Sequence, residues 1–195
     1  MRSVVINEIL IPSLKKLYEM DYNNIKWGVS ERNICARLAH QMENIMRQYD
    51  AVHDSNRFAR YYADVEYNRM GNGDLKHFEN SEHVKRYMVS DLLIQNRGPE
   101  RNLLAVEMKR EGNKRGVEDD KDRLKSLVSM LPENEDTKCV HDTLVGAFII
   151  YSPQDVKVEI YEAVNGEGKK TDELLFKYTP ERTDVLTLIA HQRTN

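Results

Sequence analysis

The segment VSDLLIQNRGPERNLLAVEMKREGNKRG, residues 89–116, decides how this chain is read. An apolar run opening with Asp91 passes through the polar, Gly-Pro-containing NRGPER into a second apolar run, NLLAVEMKR. Two such runs joined by a short turn-forming segment predict a pair of antiparallel strands. In the second run, period-two alternation puts Leu103, Ala105, Glu107 and Lys109 on one face and Leu104, Val106 and Met108 on the other. Glu107 and Lys109 then stand about 6–7 Å apart along the strand. A carboxylate and an ammonium in sheet core are costly without partners, so something must compensate.

Two arrangements would do so. One is an ordinary ion pair at a sheet edge. The other is a metal: Asp91 on the neighbouring strand would bring a second carboxylate to Glu107, and two close carboxylates repel unless a cation sits between them. Hard oxygen donors in small number suit Mg²⁺, which keeps several waters and accepts a phosphate as a further ligand. A lysine beside such a site suits positioning or deprotonating an attacking water and stabilising charge that develops on phosphorus. The Glu-x-Lys triplet alone carries little weight, since it recurs at Glu167-Gly168-Lys169. The weight lies in the context: a carboxylate strand, a tight connection, then an apolar strand ending in Glu-x-Lys and followed by an amphipathic helix.

Outward from this segment, VEDDKDRLKSLVSML predicts a helix with Val117, Leu124, Leu127, Val128 and Leu131 on one face. DTLVGAFIIYSP predicts a long central strand. VKVEIYEAV and ELLFKYTP, flanking the turn-rich NGEGKKTD, predict a C-terminal β-hairpin. Upstream, YYADVEYNR alternates as a half-buried strand, MGNGD is a turn, and EHVKRYM reads as a short helix or irregular connection. SERNICARLAHQMENIMRQY predicts a helix capped by Ser30, with Ile34, Leu38, Met42, Ile45 and Met46 as its apolar stripe. Glu31, in its first turn, either favours the helix dipole or points at a polar site. Residues 4–20 predict an N-terminal helix interrupted near Pro12, and DYNNIKWG reads as loop.

The bulk numbers fit one domain spanning 1–195. Of 195 residues, 40% are hydrophobic and 31% charged, the balance of a soluble globular chain. No apolar stretch approaches the ~20 residues of a membrane helix, and Glu8 interrupts the apolar N-terminal patch, so neither a membrane anchor nor a signal peptide is expected. Cys35 and Cys139, without zinc-ligand spacing, fit a reduced, cytoplasmic thiol state. The net charge of −3 argues against coating nucleic acid by bulk electrostatics. It leaves room for the one dense cationic cluster, Lys109, Arg110, Lys114 and Arg115, which is either a solvated loop or a phosphate contact. There is no GxGxxG or Walker run, no nucleophile elbow, and no paired ligand spacing among the six histidines. Trp27 and the ten tyrosines are candidates for base stacking, though aromatics near helix ends are more often core.

The run from Glu31 to about Ile150 resembles the PD-(D/E)XK, or restriction-endonuclease-like, nuclease superfamily, and in particular its small bacterial members. The resemblance rests on DVEYNR at 64–69, SDLLIQNRG at 90–98, NLLAVEMK at 102–109 and DDKDRLKSL at 119–127, in that order. It departs in having Ser90 where the family has proline, a position that shapes the strand entry and supplies no ligand. The resemblance implies an α/β fold with a central mixed sheet flanked by helices in the order α-β-β-β-α-β. The N-terminal helix and the C-terminal β-hairpin would be additions to that core. It implies that Asp91 and Glu107 bind Mg²⁺ or Mn²⁺, with the Met108 carbonyl as a further ligand. Lys109 would be the signature lysine, and Glu31 would complete or orient the site. Glu66 and Arg69 match the EYNR strand: Glu66 as support behind the ligands, Arg69 as a phosphate contact or a partner of a site acid. Arg110, Lys114 and Arg115 would meet the phosphate backbone. The implied activity is metal-dependent nuclease action, hydrolysing phosphodiester bonds in DNA, and many nucleases of this fold work as homodimers. The competing expectation is a catalytically inactive nuclease-like binding module in a defence or mobile-element system, which the mild acidity and single basic patch also suit.

Overall fold

The computed structural model describes residues 1–66, 77–79, 85–87, 89–96, 101–130, 143–180 and 185–194. Among them, one seven-stranded sheet runs in the order β1 (Tyr62–Val65), β4 (Leu92–Gln95), β5 (Leu104–Arg110), β6 (Val145–Tyr151), β7 (Asp155–Val164), β8 (Glu167–Tyr178) and β9 (Leu186–Arg193). β2 (His77–Glu79) and β3 (Lys85–Tyr87) pair separately. β5 and β6 are parallel and the other neighbours in the large sheet antiparallel. A parallel pair needs a crossover, and α4 (Val117–Val128) supplies it. The chain is thus mixed α/β, and the strand pair expected from residues 89–116 is present as β4 and β5.

Helices cover both faces. On one lie α1 (Arg2–Val4), a π-helical stretch Val5–Leu10, α2 (Ile11–Trp27) and α3 (Glu31–Val52). Leu17, Tyr18, Ile34, Leu38 and Met42 from this layer share a core with Leu92, Ile94, Leu104, Val106, Met108, Ala147 and Ile149. On the other face, Leu124, Leu127 and Val128 of α4 pack with Leu93, Ala105, Phe148 and Tyr161. Burial on both sides explains why β5 and β6 read as nearly continuous apolar runs. Each fully buried Leu, Ile or Phe contributes about 1.5–3 kcal/mol. In this frame a charged side chain on β5 is an exception that must be held by its neighbours.

The N-terminal helix passes Pro12 without a break. Pro12 has no N–H and its ring would crowd the Glu8 carbonyl, and the wider π turn immediately ahead relieves both. The helix continues through DYNNIKW, where loop was expected, because Ile25 is buried and Asp21, whose φ of −121° and ψ of 16° interrupt the turn, is held by Arg37 and Asn24. It stops at Gly28, whose φ of 73° caps it in the left-handed region. The Tyr18 hydroxyl donates to the Ser152 carbonyl at 2.6 Å, pinning α2 to the end of β6.

Three further differences matter. Residues 85–87 form β3, paired with β2, rather than a short helix or irregular connection: a three-residue strand has too little pattern to be read without its partner. The C-terminal hairpin is present as β7 and β8, but Asn165 and Gly166, both at positive φ, make the whole turn. Most of the remaining turn-like residues are strand, including Glu167–Lys169, and a further strand, β9, forms the sheet edge. Glu66, expected on the alternating strand, has left it at a φ of 52°. No helix among the described residues is long and apolar enough to cross a membrane.

Candidate functional site

Antiparallel register sets Leu93 opposite Ala105 and Leu92 opposite Val106; one residue further, Asp91 comes opposite Glu107. By the pleat, Asp91, Glu107 and Lys109 face α4, on the side of Leu93 and Ala105. The two acids, expected from the sequence to converge, lie on one face at adjoining register positions, and Asp91 disfavours the Glu107 charge. Asp91 Oδ2 accepts the Met108 N–H at 2.7 Å, which ties the carboxylate to β5 through the backbone. Met108 therefore meets Asp91 through its amide, while its side chain is buried in the core on the opposite face.

Glu107 is 1% exposed. Its Oε1 accepts no hydrogen bond among the described residues, although Arg123 Nε lies 3.2 Å away at ion-pair distance. Burial pushes its carboxyl well above the usual carboxylate range, Asp91 and Asp120 add repulsion, and Arg123 offsets this only in part. Burial likewise raises the Asp91 carboxyl, against the pull of the Met108 N–H and Lys109.

Lys109 turns to α4. Its Nζ lies 2.9 Å from Asp120 Oδ2, and Asp120 Oδ1 is 2.5 Å from Arg123 Nη2. Burial opposes the Lys109 charge, but the Asp120 contact outweighs it and holds the ammonium above its usual pKa. Arg123 Nη1 also donates to the Val89 carbonyl at 2.6 Å, so one guanidinium joins α4, β5 and the entry to β4. Five ionised groups would meet here, three carboxylates (Asp91, Glu107, Asp120) and two cations (Lys109, Arg123), a formal balance of −3 + 2 = −1.

Asp120 and Arg123 are absent from the sequence-based candidates. A polar residue on an amphipathic helix is normally solvated, but Asp120 falls three residues after Val117 and four before Leu124, inside the apolar stripe. That gap in the stripe was the available cue.

Cys35 was also missed. Its buried thiol donates to the Asp91 carbonyl at 3.2 Å, and burial keeps it protonated by raising its pKa. The Glu66 N–H reaches the same carbonyl at 3.1 Å. Two donors on one oxygen fix the Asp91 backbone. The Glu66 side chain pairs instead with exposed Arg32 at 2.9 Å.

Glu31 stands at the end of β5. Ser30 caps α3, its hydroxyl accepting the Asn33 N–H at 3.3 Å, and this directs Glu31 towards the strand. Glu31 Oε1 accepts from the Arg110 N–H and from Asn113 Nδ2, both at 2.8 Å. It is committed to the β5 end rather than touching Asp91 or Glu107. The Arg110 guanidinium lies against Gly28, where a Cβ would stand 2.1 Å from Nη1. Lys114 and Arg115 are exposed in the following loop. Arg69 and Cys139 lie outside the described residues.

The donor chemistry fits a small divalent cation. Asp91 and Glu107 offer hard oxygens, and Glu107 Oε1 is a buried acceptor lacking a donor. Among the described residues no three His, Cys, Asp or Glu side chains are grouped to hold a metal. A pair is within the habit of Mg²⁺, which binds through one or two carboxylates and keeps its waters. Neither a family model, nor a curated protein, nor a solved structure matches this chain.

Proposed function

We propose that this chain is a metal-dependent nuclease with a restriction-endonuclease-like core, hydrolysing phosphodiester bonds in DNA. The observation that carries the reading is the placement of Asp91, at the entry to β4, and Glu107, on β5, on one side of the sheet at adjoining register positions, with Lys109 two residues along. The order α3, β1, β4, β5, α4, β6 supports the core assignment, with the β2–β3 pair inserted between β1 and β4. Asp91 and Glu107 would hold Mg²⁺ or Mn²⁺, with the Met108 carbonyl as a further oxygen. When bound, the ion would supply Lewis acidity to a phosphoryl group and neutralise the paired acids.

The chain's own residues divide the remaining work. The Met108 N–H orients Asp91, and Cys35 with the Glu66 N–H fixes its backbone. Lys109, kept protonated by Asp120, acts as a donor that orients water and stabilises charge developing on phosphate. Arg123 holds Glu107 and Asp120 in place before any substrate arrives.

One observation favours a second reading. Lys109 and Arg123 already balance two of the three acids, so the cluster persists without a metal, as an inactive binding module would require. Nicking of supercoiled plasmid in Mg²⁺, Mn²⁺ or EDTA, beside Lys109→Ala and Asp91→Asn, separates the two. The nuclease reading requires nicking that EDTA and both substitutions abolish. Nicking indifferent to chelator removes the metal mechanism, and DNA binding without nicking selects the binding module.

A further inference from the structure

Trp27 closes α2 with its side chain 72% exposed, and it belongs to neither apolar core. A helix-terminal indole normally covers core; this one leaves its faces in water while its neighbour Ile25 is 1% exposed. A cation lies against the residue that follows it. The next residue, Gly28, carries the Arg110 guanidinium on its α-carbon, and only glycine's missing Cβ allows that approach. Arg110 directly follows Lys109 on β5. Glu31 Oε1, through the Arg110 N–H and Asn113, holds the α2–α3 junction against the same strand end. Lys26, Lys114 and Arg115 are exposed on these two segments. Residues 26–31 and 110–115 carry four cations (Lys26, Arg110, Lys114, Arg115) against two acids (Glu31, Glu111), 4 − 2 = +2, in a chain whose net charge is −3.

An exposed indole among cations, at the end of the strand that carries Lys109, has the two elements of single-strand recognition. These are a π face on which an unstacked base can lie and positive charge along the backbone path. In an intact duplex the base faces are already stacked on one another, so Trp27 has nothing to receive. We infer that the α2–α3 rim is a binding subsite for single-stranded DNA, in which Trp27 stacks on an unpaired base and Arg110, Lys114 and Arg115 meet its flanking phosphates. The inference rests on the nuclease reading above and deepens it. The substrate form it names is DNA with an unpaired segment, such as a frayed end, a flap or a free strand.

Trp27 is the chain's single tryptophan, so intrinsic fluorescence reports on this position alone. The experiment titrates the full chain in EDTA with oligothymidylate, with a blunt duplex, and with inorganic polyphosphate, following both fluorescence and anisotropy of labelled probes. Oligothymidylate is expected to quench Trp27 and to bind several-fold more tightly than the duplex, while polyphosphate binds without quenching. Trp27→Ala weakens oligothymidylate binding about tenfold or more and leaves polyphosphate binding unchanged; Trp27→Phe recovers part of the loss. Position 27 is exposed and outside both cores, so the substitutions leave the packing intact, and circular dichroism of each variant checks the fold. Oligothymidylate binding without quenching, or unaltered by Trp27→Ala, overturns the inference while metal-dependent plasmid nicking leaves the nuclease reading standing. Quenching and tight single-strand binding in a chain that never nicks DNA support the subsite and remove the nuclease reading. Absence of binding to any nucleic acid overturns both.

Discussion

The Arg123 guanidinium stands 3.2 Å from Oε1 of Glu107, an acid that is almost wholly out of water. Removing one member of such a pair leaves the other charge buried, at a cost of about 3–5 kcal/mol. Arg123→Met is therefore expected to destabilise the chain by about 3 kcal/mol at pH 8. The double variant Arg123→Met with Glu107→Gln recovers most of that loss. Urea unfolding of the two single variants and the double variant checks the coupling; effects that simply add would remove Arg123 as the counter-charge.

The pH dependence has a definite sign. Glu107 and Asp91 titrate above their ordinary values of 4.5 and 3.8 in the folded chain. Their contribution to stability is thus fully present below those values and is lost as pH rises through the folded pKa. Glu107→Gln, which cannot ionise, is expected to be more stable than the wild type at pH 8, with a smaller gap at pH 5. Comparing the two proteins cancels Glu159, Asp172 and Glu173, whose lowered values act in the opposite direction. A gap that is the same at both pH values contradicts the burial argument.

A divalent ion that neutralises the acids must stabilise the fold. At a hundredfold excess over Kd the gain is about 2.7 kcal/mol. Mg²⁺ or Mn²⁺ is expected to raise the Tm of the wild type and to leave Asp91→Asn unmoved, in a thermal scan made without DNA. Equal shifts in both proteins would place the ion elsewhere.

Gly168 tests how α4 is held over the site. A Cβ there would stand 1.9 Å from the Lys125 carbonyl oxygen, a backbone atom with little freedom to retreat. The Ser129 hydroxyl and the Met130 N–H both donate to the Gly166 carbonyl at 2.9 Å, so the β7–β8 turn braces the C-terminal end of the helix. Gly168→Ala is expected to cost about 1–3 kcal/mol and to disturb Asp120 and Arg123 from a distance. Chemical denaturation measures the first effect, and loss of metal-induced stabilisation measures the second.

The pairing of β4 with β5 and the shared face of Asp91 and Glu107 were legible because alternation and a short connection leave few other arrangements. Lys109 was legible as a position but not as a contact, since its partner Asp120 comes from α4. Asp120 and Arg123 look like solvent-facing residues of a charged helix until the helix is laid on the sheet. Trp27 misled in the other direction: an apolar aromatic at a helix end suggests core, but the indole is exposed and belongs to neither core. β3 and β9 needed their neighbours to exist at all, and the turn-like Gly168 and Lys169 are strand because Asn165 and Gly166 already complete the reversal.

The parallel register of β5 with β6 has a consequence for synthesis. Glu107 lies beside Phe148, a residue made 41 positions later (148 − 107 = 41). At roughly 5–20 residues per second, Glu107 is made seconds before this neighbour. Arg123 is made between the two, so the counter-charge is already in the chain when the β5–β6 pair can close over the acid.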